Sequence, residues 1–182
     1  MTRTTDAGFD REKQLCRLLA ARLRGELAAG DLVPSLAGCG GGDRTAAVDL
    51  RALASPALSR AQLVGMNLTG ADLRGVNLTD SRVESSVLNG ADLEEALLVR
   101  AQIVAAELVG ARLVTADLRD CLLVASDFAG ANLAGADLRR GVIVGCSFTG
   151  ADLAGADLRR ATFVYADLRG VDLRSARLEE TR

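Results

Sequence analysis

From Leu58 onward a large apolar residue recurs at every fifth position, through Leu63, Leu68 and Leu73 to Phe163, Leu168, Leu173 and Leu178, with no break in phase. A helix repeats every 3.6 residues and a strand every two, so neither alone gathers such a series on one face. Two positions before each large residue stands a small one in nearly every case, as at Ala71, Ala91, Ala101, Ala111, Cys121, Ala131, Gly141, Cys146, Ala151 and Ala166; Met66, Val76 and Val171 are larger. One large and one small inward residue per step implies a chain that coils around an axis with five residues to a side. Four sides close a coil of about 20 residues, and coils stacked at the strand spacing of ~4.8 Å build a rod about 30 Å long from roughly six coils. The column inside is dry and close-packed, Leu filling the axis and Ala the narrower space beside it.

The position between the two inward residues is often Asp or Asn, as in Ala71-Asp72-Leu73, Ala131-Asn132-Leu133 and Ala151-Asp152-Leu153. This Ala-Asp/Asn-Leu-x-x pattern resembles the motif of the pentapeptide-repeat family over residues 51–182. The resemblance implies an all-β solenoid, a right-handed quadrilateral β-helix; the handedness comes from the family and not from the period. Two regions follow: 1–50, an amphipathic helix with a Gly-rich connector, and 51–182, the β-helix.

With four pentads to a coil, residues about 20 apart stack and each side can be read separately. One side ends every pentad in glycine, at Gly70, Gly90, Gly110, Gly130, Gly150 and Gly170. That ladder predicts a turn with positive φ, as in type II. A second side stacks Arg119, Arg139 and Arg159 outward, with Arg140 and Arg160 beside them and Asp117, Asp137 and Asp157 two residues back. It reads as a solvated face that neutralises itself, or as a site for an acidic partner or a nucleic-acid backbone. No aromatic residues interleave there for base stacking. A third side is apolar where it faces outward: Val104, Val124, Val144 and Val164 in one row, Leu122 and Val142 in another, with Tyr165 alongside. Outward valines favour strand geometry. Several stacked rows also make a patch of the size that marks an interface, covered by another chain or by the N-terminal segment.

In that segment Asp10 can cap a helix whose Leu15, Leu18, Leu19, Leu23 and Leu27 share a face, and Gly30 ends it. Its expected role is to cap the solenoid; docking on the valine side or use as a recognition segment are the alternatives. At the other end the chain stops soon after the inward Leu178, which leaves that end of the column frayed or covered. Leu36-Ala37-Gly38-Cys39 has the form of a lipoprotein cleavage box, but Glu26 and Asp31 interrupt the apolar stretch such a signal needs, so Cys39 reads as a free thiol. Cys16, Cys39, Cys121 and Cys146 form no Cys-x-x-Cys pair and fit a reducing, cytoplasmic setting.

There is no histidine, which removes the commonest general base and metal ligand, and no phosphate-cradling loop; the chain reads as non-enzymatic, with no cofactor. No apolar run is long enough to span a bilayer, and a net charge of -2 gives no global field for nucleic acid or membrane. The expected function is a protein-interaction scaffold, its partner another protein or a second copy in a homodimer. The resemblance implies an alternative, because some family members protect type II topoisomerase, chiefly gyrase, from quinolones or natural-product poisons by resembling duplex DNA. The candidate acids for such mimicry are Asp72, Asp92, Asp152 and Asp172, on a surface that Arg74, Arg112 and Arg174 interrupt. A third reading takes the N-terminal helix as the leader of a substrate for a modifying enzyme.

Overall fold

The computed structural model describes residues 58–182. The amphipathic segment, the connector, Cys16 and Cys39 lie outside them. One side of every coil contributes a three-residue strand: β1 (Gln62–Val64), β2 (Arg82–Glu84), β3 (Gln102–Val104), β4 (Leu122–Val124), β5 (Val142–Val144) and β6 (Thr162–Val164). The six form one parallel sheet in chain order. Leu63 pairs with Val83, Val83 with Ile103, Ile103 with Leu123, Leu123 with Ile143 and Ile143 with Phe163, so the register never slips from the coil length. The other three sides pair at the same interval through single bridges such as Asn67 with Val87, Asp72 with Asp92 and Asn77 with Leu97. The parallel-strand β-solenoid expected from the five-residue period is the observed architecture.

The two inward positions of each pentad make the core. Leu118, Leu138 and Phe148 are wholly buried, as are the alanines beside them, including Ala116 and Ala136. Phe128 and Phe148 stack with ring centroids 4.9 Å apart, and Phe163 meets Phe148 edge-on at 6.3 Å. Small and large residues compensate within a column. At Gly141 an added Cβ would lie 3.2 Å from the Cys121 sulfur, which occupies that space from the coil before.

Every described corner but Ser175 is a left-handed residue. Leu68 accepts a hydrogen bond from the Ala71 amide at 3.0 Å, and Gly70 between them has φ +65°, the type II pattern predicted for the glycine side. The structure extends this to all four sides, because 13 described residues other than glycine also have positive φ, among them Asp80, Arg100, Ala125, Arg140 and Tyr165. An isolated residue in that region costs of order 1–3 kcal/mol unless its surroundings over-determine it. Here the coils above and below do so: the Arg100 amide is held by the Arg119 carbonyl at 2.9 Å, and the Arg140 amide by the Arg159 carbonyl at 3.1 Å.

On the sheet side a hydroxyl from the next coil bridges the corner. Ser86 Oγ accepts from the Met66 amide at 2.9 Å and donates to the Leu63 carbonyl at 2.8 Å; Ser126 does the same for Ala106 and Ile103. Burial differs between the first and the last described coil. Leu58, Leu63, Leu68 and Leu73 in the first described coil are buried, whereas Phe163, Leu168 and Leu173 in the last are half-buried and the inward Leu178 is 42% exposed. With Leu158, Thr181 and Arg182 these residues line an open apolar cavity of about 270 Å³. Arg182 completes this coil on β6, its amide bonded to the Ala161 carbonyl and its carbonyl to the Phe163 amide.

Two stability predictions follow from packing and corner geometry. Leu138→Ala, at a wholly buried position, is expected to cost about 2–5 kcal/mol by chemical denaturation, and Leu138→Asp to abolish cooperative unfolding. A Cβ at Gly130 meets nothing within 4 Å while the backbone has φ +63°, so Gly130→Ala isolates the corner strain at about 1 kcal/mol. A loss near zero would show that stacking alone sets these corners.

Candidate protein-interaction faces

The sheet presents two outward columns. The first runs Gln62, Arg82, Gln102, Leu122, Val142, Thr162 and the second Val64, Glu84, Val104, Val124, Val144, Val164. The β1–β2 end is polar apart from the exposed Val64, and there Arg82 and Glu84 form an ion pair. Over β4 and β5 both columns are apolar. Leu122 and Val142 are exposed, as is Val164 on β6; Val104, Val124 and Val144 are half-buried, screened by the stacking of their own row. Tyr165 closes the row at 92% exposure with φ +54°, a bulky side chain held out in water on a left-handed corner. The structure therefore brings together every residue that the sequence singled out on this side. Leu97 and Val109 are also exposed, but they stand singly on other sides.

The charged faces are satisfied internally. Asp137 Oδ1 accepts from the Arg139 backbone amide at 3.1 Å while the Arg139 guanidinium returns to the same carboxylate at 2.6 Å; Asp117 with Arg119 and Asp157 with Arg159 repeat the motif. Two of these arginines also reach the next coil's carboxylate, Arg119 to Asp137 and Arg139 to Asp157, both at 3.8 Å. At the corner beside the sheet, Arg100 forks onto Asp80, Arg140 onto Asp120 and Arg160 onto Glu180, each bond joining adjacent coils. These cross-coil partners went unremarked in the sequence, although a spacing of one coil length between opposite charges was the signal. The cleft of about 390 Å³ among Arg139, Arg140, Arg159 and Arg160 includes Glu179 and Glu180, so it is not a bare cationic pocket.

The four candidate acids do not make one ladder. Asp72 stacks on Asp92, but Arg112 and Asn132 follow before Asp152. Arg74 binds Asp72 and lies 3.8 Å from Asp92, Arg112 lies 3.6 Å from Asp92, and Arg174 binds Asp172. Asp152 accepts the Ala154 amide at 2.9 Å. Among the described residues no group of Cys, Asp and Glu is placed to hold a metal ion, and no helix is long and apolar enough to cross a membrane. Cys121 and Cys146 are free and buried; burial pushes the Cys121 thiol up to about 12, which keeps it protonated and unreactive.

These pairings give a pH prediction. The Arg169 guanidinium holds the Asp167 carboxyl at about 2, and Arg100, Arg140 and Arg159 hold Asp80, Asp120 and Asp157 below the usual carboxylate range. A carboxylate whose pKa is depressed on folding stabilises above its unfolded value and loses that contribution as pH falls through the folded value. The melting temperature is therefore expected to be flat from neutrality down to about pH 4 and to fall between about pH 4 and pH 2. A melting temperature constant down to pH 2 would show that the pairs do not contribute.

The pentapeptide-repeat family model, in 8 copies, matches residues 57–94, 77–113, 106–142 and 143–179. No curated protein matches the chain. Among solved structures, a pentapeptide repeat protein from the Arabidopsis thaliana thylakoid lumen is similar at 29% identity, with 55% of this chain and 67% of that one covered and a TM-score of 0.32. QnrB1, a plasmid-mediated fluoroquinolone resistance protein, is similar at 12% identity over 70% of this chain and 86% of its own, with a TM-score of 0.42. A pentapeptide repeat protein from the cyanobacterium Cyanothece 51142 is similar at 22% identity over 68% and 85%, with a TM-score of 0.33. With its five-residue period, its parallel coils and the family model spanning nearly all of the described rod, the chain belongs to the pentapeptide repeat family.

Proposed function

We propose that the protein is a non-enzymatic interaction scaffold that docks a protein on the valine face of a rigid rod. One contrast carries the reading: arginines pair with carboxylates along the charged faces, while Leu122, Val142, Val124, Val144, Val164 and Tyr165 form a contiguous apolar surface that nothing in the described residues covers. Tyrosine beside packed aliphatic residues is the composition of an interface centre. A reducing, cytoplasmic setting accords with the free, buried Cys121 and Cys146.

The topoisomerase alternative draws less support from the same surface. A mimic of DNA needs a run of uncompensated negative charge. Asp72, Asp92 and Asp172 each lie against arginine.

Two measurements separate these readings. Val124→Lys with Val144→Lys is expected to leave the melting temperature and circular dichroism close to wild type, since both side chains point outward, and to abolish retention of protein partners from a native extract. Unchanged partner retention would reduce the valines to strand formers. In a gyrase supercoiling assay with a quinolone, the protein at about micromolar concentration is expected neither to inhibit nor to protect. Protection that disappears when Asp72, Asp92, Asp152 and Asp172 are changed to Asn would replace the scaffold reading with the topoisomerase one.

A further inference from the structure

The corner after Asn89 combines a demand of the fold with a chemical weakness. Gly90 has φ +65° and stands in the glycine column of the turns, where glycine is the residue that the backbone favours. Asparagine directly before it makes Asn89-Gly90, and the sequence holds no other Asn-Gly; Asn67, Asn77 and Asn132 are each followed by leucine. A glycine backbone nitrogen reaches the carboxamide carbon of the asparagine before it unhindered, whereas a leucine side chain obstructs the approach. Asn-Gly is for that reason the asparagine dipeptide most prone to lose its side-chain amide.

The structure treats Asn89 differently from the other three asparagines. Asn67, Asn77 and Asn132 use Oδ1 within their own turns, accepting the Thr69, Thr79 and Ala134 amides at 3.1, 3.0 and 3.0 Å. Asn89 reaches into the next coil instead. Its Oδ1 accepts the Val109 amide at 2.8 Å and its Nδ2 donates to Glu107 Oε2 at 2.9 Å. The Gly90 amide, whose nitrogen is the nucleophile for amide loss, donates to the Val109 carbonyl at 2.9 Å, and the Asn89 carbonyl accepts the Gly70 amide of the coil before at 2.9 Å. Asn89 is half-buried and Gly90 is exposed, so water reaches the corner; what the folded chain withholds is the nucleophile.

We propose that Asn89-Gly90 is a deamidation site latched by the coil that carries Glu107 and Val109, reactive only when that coil lifts, and that its product keeps the latch from re-forming. In the open state the Gly90 nitrogen gives its proton to solvent and attacks Asn89 Cγ. The bond from Cγ to Nδ2 breaks, and ammonia leaves with a proton taken from water as a five-membered imide closes. Water then opens the ring at either carbonyl, giving aspartate or isoaspartate. In the closed state the Val109 amide polarises Cγ, but the Gly90 proton is held on the Val109 carbonyl and the Glu107 bond fixes the carboxamide. Removing that proton would set an amide anion against a carbonyl lone pair, which is why the latch acts on the nucleophile.

Either product alters the joint. Aspartate at position 89 replaces the Nδ2 donor with an oxygen that faces the Glu107 carboxylate, a like-charge contact between adjacent coils. Isoaspartate also routes the main chain through the side-chain carbon and lengthens the corner by one C–C bond of about 1.5 Å. The strand register on either side is unbroken, so that extra length falls on the pairings that span it.

Deamidation of the full chain at neutral pH, followed by mass spectrometry, and exchange of the Gly90 amide, followed by NMR, test the latch. The folded protein is expected to deamidate at least about tenfold more slowly than the urea-unfolded chain, and the two rates to rise together in sub-denaturing urea. A folded chain that deamidates as fast as the unfolded one overturns the latch, and so does a rate that stays constant while Gly90 exchange rises. The product is tested separately. Asn89→Asp is expected to lower the melting temperature by about 2–4 °C, and added Glu107→Gln to restore it by supplying a donor in place of the repelling carboxylate. Asn89→Asp that melts with the wild type, or a loss that Glu107→Gln leaves unrescued, overturns the effect assigned to the product.

Discussion

The inter-coil hydrogen-bond ladder, which lays residue i+20 on residue i, is the constraint on which the rest of the molecule depends. The Leu68 amide reaches the Val87 carbonyl at 2.7 Å, and the Val87 amide reaches back to Met66 at 2.9 Å. The same alternation recurs on all four sides, so one coil's backbone is satisfied by its neighbours and not by itself. One inserted residue would put the pairings that span it out of register. The ladder also holds Arg100, Ala125 and Tyr165 in the left-handed region, a conformation that short-range preferences alone would refuse.

Regular stacking decides what the surface can do. A residue type repeated at the coil interval becomes a column, and a column of like charge repels itself unless an opposite column stands beside it. Asp117, Asp137 and Asp157 against Arg119, Arg139 and Arg159 meet that condition within each turn, and Arg100, Arg140 and Arg160 meet it between coils. On the side bearing Leu122, Val142 and Val164 the columns are apolar. Leucine, alanine and phenylalanine fill most of the interior of the described coils. The open apolar cavity lies at the last described coil.

Much of this was legible before any coordinates. The period of five assigned each residue from Leu58 on to an inward or outward position, and Leu118, Leu138 and Phe148 lie where it placed them. The glycine ladder announced the corner, but only at Gly70 and its five counterparts; the left-handed residues at Asp80, Arg140 and Tyr165 carry no such mark, because their conformation is imposed by the coils around them. Likewise Asp72 and Asp92 were recognisable as stacked acids. That Arg74 reaches both of them depends on side-chain direction at a corner.

By itself the sequence determined the coil length, the inward columns and the identity of the four sides, because strict periodicity in a stacked chain converts linear spacing directly into position. Only the tertiary structure decided which charges meet, how far each valine is screened by its own row and how exposed Leu178 is. Those quantities depend on distances between coils and on the presence or absence of a next layer. Arg160 with Glu180, the half-buried Val124 and the uncovered Leu178 are set by neighbours that no local pattern specifies.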